Sequence, residues 1–144
     1  MATVVPAVMV AHAIQLAVAP VFLLNGIGAI LSVLTGRLSR IIDRSRVLHN
    51  RRLAATEGLH DIDFELQIHA KRAWNINWAI SLSTVCALLV CLVIALLFLE
   101  EIVSAHVELP VALLFVAAMA CLILALLFFL REIYLATARF RVGP

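Results

Sequence analysis

Residues 73–99 read AWNINWAISLSTVCALLVCLVIALLFL and hold no Asp, Glu, Lys or Arg. A helix needs about 20 apolar residues to cross a hydrocarbon core roughly 30 Å thick, so this run is long enough to span. Two more uncharged stretches lie on either side of it, residues 2–36 and 109–130. The 144-residue chain is 65% hydrophobic and 14% charged, whereas a water-soluble domain is usually near half apolar. Three such blocks leave too little polar surface for a molecule facing water. The composition therefore predicts an all-α, polytopic membrane protein with three transmembrane helices. It forms a single membrane domain over residues 1–144, with spans at about 7–36, 74–99 and 111–130. Ala17-Val18-Ala19 has the small-x-small form of a signal cleavage site, but no Lys or Arg precedes it and Pro20 follows directly. Those features predict an uncleaved span whose helix starts near Pro6.

The net charge of +2 conceals a sharp asymmetry. All eleven basic residues fall in two places. Arg37, Arg40, Arg44, Arg46, Arg51, Arg52, Lys71 and Arg72 lie between the first two blocks, and Arg131, Arg139 and Arg141 follow the third. Residues 100–110 carry Glu100, Glu101 and Glu108 instead. Because cytoplasmic loops collect Lys and Arg, the pattern predicts a cytoplasmic segment at 37–73, an outer loop at 100–110 and a cytoplasmic tail at 131–144. The N-terminus is then outside. A cysteine placed at Ser104 is expected to react from outside with a thiol reagent that cannot cross membranes, and one at Ala55 only after lysis. The opposite labelling pattern would reverse the orientation. Topology alone accounts for the arginines, so they do not imply nucleic acid; anionic lipid is the partner their charge suits.

Residues 37–52 hold six Arg and one Asp, a sum of +5, and residues 57–65 hold four acids and no Lys or Arg, a sum of −4. Apolar residues Leu38, Ile41, Ile42 and Leu48 keep helical rhythm through the first arm. A break is expected at 54–60, around Gly58. Asp61, Asp63 and Glu65 then suit the first turn of a returning helix. Ile62, Phe64, Leu66 and Ile68 alternate with polar residues as a strand would, but a lone strand has no partner here. The segment is read as helix running into the second span. The result is a cytoplasmic helical hairpin extending the first two spans, with opposite charges facing each other. Trp74 and Trp78 mark the inner end of the second span and Tyr134 that of the third, as interfacial aromatic rings do.

The stretch Gln15-Leu16-Ala17-Val18-Ala19-Pro20-Val21-Phe22-Leu23-Leu24-Asn25-Gly26-Ile27-Gly28 is followed by Arg37-Leu38-Ser39-Arg40-Ile41-Ile42-Asp43-Arg44-Ser45-Arg46. Together with Arg72-Ala73-Trp74-Asn75-Ile76-Asn77-Trp78-Ala79-Ile80, it resembles an uncharacterised bacterial family of small three-span membrane proteins with a domain of unknown function. The resemblance implies a bacterial inner-membrane location and brings no activity with it.

No catalytic, cofactor or metal motif stands out. His60, Asp61, Asp63, Glu65 and His69 form the one mixed His/acid cluster, and it reads as an ordinary helix start. Cys86, Cys91 and Cys121 lie at membrane depth without metal-type spacing and read as small packing residues. The chain is not expected to be an enzyme.

Polar groups within the spans carry more information, because hydrocarbon penalises them. At 100° per residue, Asn25, Gly28, Ser32 and Gly36 share one face of the first span. Gly28, Ser32 and Gly36 repeat at the four-residue spacing that lets helix backbones approach closely. Asn77, Ser81 and Thr84 make a second stripe, on the second span. These seven residues are candidates for helix packing or for lining a pore. Glu100, Glu101 and Glu108 are candidates for an outer acidic ring. The stripes suit a homo-oligomer with an ion-conducting, channel-like path, since three helices cannot enclose one alone. The alternative is a non-conducting scaffold or regulatory subunit that binds a partner or anionic lipid through the hairpin.

Overall fold

The computed structural model describes residues 4–54, 59–103 and 106–138, which form three helices. These are α1 (Val4–Ala54), α2 (Leu59–Val103) and α3 (Glu108–Ala138). The protein is all-α, and each helix is long and apolar enough to cross a membrane. Helix α1 has 51 residues, about 76 Å at 1.5 Å per residue, so it is far longer than a hydrocarbon core is thick. The run 62–68 is helical. Its alternation yields to a helical burial rhythm, with Leu66 and His69 turned inward and Phe64 and Gln67 outward. The break expected around Gly58 falls on residues 55–58, which lie outside the described residues; α1 ends at Ala54 and α2 begins at Leu59.

The helix ends follow from local electrostatics. Asp61 and Glu108 stand in the first turns of α2 and α3, and Arg51 and Arg52 in the last turn of α1. Each charge opposes the partial charge that the aligned peptide dipoles leave at that terminus. Pro110 falls in the first turn of α3, where a missing N–H costs nothing. Pro20 is different. It lies inside α1 on the buried side, and its ring removes one backbone hydrogen bond from the helix.

The chain divides into two compact units. In the unit made of residues 1–30 and 82–123, the buried positions include Ala13, Ala17 and Ile27 of α1. Ser83, Cys86, Val90 and Val93 of α2 and Ala118 and Leu122 of α3 are buried in the same unit. Most of these side chains are small, which lets helix backbones lie close. In the unit made of residues 31–81 and 124–144, the buried apolar residues are Leu34, Ile41, Leu48, Ile76, Ala79 and Ala125. His69, Asn75 and Glu132 are buried there too.

Within each unit buried residues recur at seven-residue spacing: 13, 20 and 27 of α1 and 83 and 90 of α2 in the first, and 34, 41 and 48 of α1, 69 and 76 of α2 and 125 and 132 of α3 in the second. That repeat is what keeps one face of a helix against its neighbours over many turns. Within the uncharged blocks the other faces are apolar and largely uncovered. Only 17%, 22% and 17% of the most apolar windows of α1, α2 and α3 is buried within the chain. Phe22, Leu88, Leu113 and Leu130 are among the large side chains left exposed. Water would penalise a surface of this extent heavily, whereas lipid tails accept it.

Candidate functional site

The polar and small stripe of α1 points away from the chain's own core. Asn25, Gly28, Ser32 and Gly36 are all exposed, set against the buried line through Ile27 and Leu34. A Cβ built on Gly28 or Gly36 would meet nothing within 4 Å, so neither glycine serves close packing within one chain. Thr35, beside this stripe, turns its hydroxyl back to donate to the carbonyls of Leu31 and Ser32 at 2.8 and 3.1 Å. In α2, Asn77, Ser81 and Thr84 are likewise exposed, while Asn75 and Ser83 occupy the buried face. The Ser83 hydroxyl has no hydrogen-bond partner among the described residues. Of the acids expected to ring the outer side, Glu100 is half-buried near the end of α2 and Glu108 is exposed at the start of α3. Glu101 belongs to the last turn of α2.

The second unit holds the chain's most developed polar arrangement, at the level where charges resume on all three helices. Arg37 is the first charge after residues 2–36, Arg72 the last before residues 73–99, and Glu132 follows Arg131 after residues 109–130. Glu132 is 0% exposed. Arg72 holds it in a fork: Nη2 donates to Oε1 at 2.7 Å, and Nε donates to Oε1 and Oε2 at 3.1 and 3.3 Å. A planar guanidinium matched to a carboxylate in this way is the strong form of the ion pair. It allows a charge to be buried at all. Arg37 lies over the ring of Phe129, 5.3 Å from its centroid. Edge-on aromatic contacts join Trp74 to Trp78 at 5.8 Å and to Phe128 at 6.4 Å. The exposed parts of Trp74, Trp78 and Tyr134 are placed where amphipathic rings favour a membrane surface.

Beyond this level α1 and α2 pair by charge. Arg52 Nε lies 2.8 Å from Asp63 Oδ1, and Arg44 Nη2 lies 3.5 Å from Glu65 Oε1. Nε2 of His69, itself buried, is 3.8 Å from the same Glu65 oxygen. Both arginines are about half exposed, so these pairs are worth about 0–1 kcal/mol each and fix register more than stability. No set of three or more His, Cys, Asp or Glu is gathered as metal ligands among the described residues.

Sequence reasoning did not single out Glu132. Its signal was available: it is the sole acid after Glu108 in the sequence, and only Arg131 separates it from an uncharged block. An isolated acid at a span's end with an arginine at the matching end of another span is a candidate pair.

Three helices whose most apolar windows are largely uncovered, with charges resuming at one level on all of them, define a small three-span membrane protein. The chain belongs to the family described as protein of unknown function (DUF2721), whose model matches residues 17–142. No curated protein and no solved structure matches it.

Proposed function

We propose that this chain is a subunit of a homo-oligomeric, channel-like assembly in the bacterial inner membrane. In this reading the N-terminus is outside, and residues 37–73 and the tail lie in the cytoplasm. The observation that carries it is the outward position of Asn25, Gly28, Ser32 and Gly36. An amide facing lipid tails lacks hydrogen-bond partners, and two glycines without neighbours leave a shallow path for another backbone. A second copy supplies both the partner and the backbone. The outward stripe of Asn77, Ser81 and Thr84 then lines a path shared among subunits, and Glu100, Glu101 and Glu108 draw cations to its outer mouth.

Gly28→Leu and Ser32→Leu are expected to weaken self-association about 3- to 30-fold, the effect of losing one or two interhelical contacts. Native mass measurement on purified protein reads the change, and wild-type mass in both variants would remove this face as the interface. Conduction is tested separately, with Cys86, Cys91 and Cys121 replaced. Cysteines at Asn77, Ser81 and Thr84 should react with a small hydrophilic thiol reagent, while those at Leu82 and Val85 stay inert. Silence at all five positions, with no current in liposomes, selects the other reading. In that reading the chain is a non-conducting scaffold or regulatory subunit acting through its hairpin. The Arg44–Glu65 and Arg52–Asp63 pairs favour it, because they hold the two arms in register as a fixed binding surface.

A further inference from the structure

We propose that the second unit contains a binding site for a phosphate group at the membrane surface, formed by Arg37, Arg40 and Arg44 of α1 beside the Arg72–Glu132 pair. These residues, with His69 and Ile41, line one cavity of about 330 Å³, a volume at the lower end of the range for ligand sites. A larger groove, about 680 Å³, runs between neighbouring parts of α1 and α2, but Ile41, Ile42, Leu66 and Ala73 are among its lining residues and Arg46 is its one formal charge. The smaller cavity is where charge converges.

The charge balance indicates the ligand. Four guanidiniums line the cavity and one carboxylate does. Arg72 is committed to Glu132 through two of its nitrogens, so that pair is close to neutral. Arg44 is partly engaged by Glu65 at 3.5 Å. Arg37 stacks on Phe129, and neither it nor Arg40 has an ion pair among the described residues. Residues 37, 40 and 44 follow one another at three and four positions, so they share one helix face. Two positive charges on one face, a half-buried Arg37 stacked on a ring and an exposed Arg40 at the cavity's edge, repel each other until an anion sits between them. Guanidinium forks match the oxygens of a phosphate better than those of chloride or a point anion. The level of the site, where all three uncharged blocks end, is that of lipid headgroups. Basic pockets between helices at this depth suit anionic headgroups. A phosphodiester headgroup and free phosphate share the chemistry, and the test separates them.

The inference gives the scaffold reading a specific ligand and rests on it for any regulatory consequence. The site itself lies within one chain, so it can fail while partner binding survives, or hold in an oligomer that conducts. The experiment titrates full-length protein in detergent with phosphatidylglycerol, with phosphatidylcholine or with inorganic phosphate, and counts retained ligands by native mass spectrometry. Phosphatidylglycerol should be retained over phosphatidylcholine. Arg40→Gln should weaken its binding about fivefold, and Arg37→Gln with Arg40→Gln more strongly. Arg40→Lys should recover only part, because it restores charge without the fork. Arg51→Gln, an exposed arginine outside the cavity, should have little effect. Binding of inorganic phosphate with the same arginine dependence, and no advantage for phosphatidylglycerol, keeps the site and assigns it to free phosphate. Equal loss in Arg51→Gln and Arg40→Gln, or no preference for any phosphate anion, overturns it in favour of diffuse surface charge.

Discussion

Arg72→Ala should destabilise the protein by about 3–5 kcal/mol, because it leaves the Glu132 carboxylate buried without its cation. The reciprocal change should cost less. The Arg72 side chain is 22% exposed against 1% for Glu132, so after Glu132→Ala the guanidinium can reach water along its flexible stem. The expected loss there is about 1–3 kcal/mol, that of its charge-assisted hydrogen bonds. The double variant should be more stable than Arg72→Ala alone, since it removes the stranded charge together with its partner. Unfolding of purified protein in mixed detergent, followed by helical signal, measures all three. A double variant at the sum of both losses would show that the pair does not act as a unit, and equal losses from the two single variants would show that the unpaired guanidinium is as stranded as the carboxylate.

The second large effect is at Leu34, which is 0% exposed on the buried line of α1. Truncating a leucine at such a site costs about 2–5 kcal/mol, depending on how far the neighbours close the gap. Leu34→Ala is expected within that range. Val33→Ala, one residue away and exposed within one chain, should change the stability of the detergent-dispersed monomer by less than about 0.5 kcal/mol. The same unfolding measurement separates them. A similar loss at Val33 would mean that this face of α1 is covered as well, which is the outcome that subunit association predicts when the protein is measured as an intact oligomer.

The contrast between positions 33 and 34 also explains what could and could not be read from the sequence. Helix number and the extent of the apolar blocks were legible because charges are absent from residues 2–36, 73–99 and 109–130. The inward face was not. In a soluble helix the buried side is recognised by contrast with a polar side, but around Leu34 both Val33 and Leu34 are apolar, and lipid accepts either. The polar residues that break the uniformity, Asn25 and Ser32 or Asn77 and Ser81, share a helix face by their spacing, and all four are exposed. Whether it turns toward the chain's own core is decided by volume fitting at Ala13, Ile27 or Ile76, which hydropathy does not report. In α2 the two polar sets interleave: Asn75 and Ser83 are inside, Asn77 and Ser81 outside. A stripe chosen by polarity alone cannot distinguish them. Past the apolar blocks the contrast returns, and there the opposite charges of the two arms pair as their sums suggest, at Arg44–Glu65 and Arg52–Asp63.

The fork between Arg72 and Glu132 also sets an order of events during synthesis. The partners are 60 residues apart in the chain, and at about 5–20 residues per second the ribosome makes Glu132 some 3–12 s after Arg72. Throughout that interval the guanidinium lacks the carboxylate that holds it in the folded chain. The third helix must enter the bilayer and bring its charged end level with that of the second before the carboxylate can be enclosed. A nascent chain that stops short of residue 132 therefore holds Arg72 without the carboxylate that pairs with it. Pairing of Glu132 with Arg72 joins the third helix to the second, which makes the third span the closing element of these three helices.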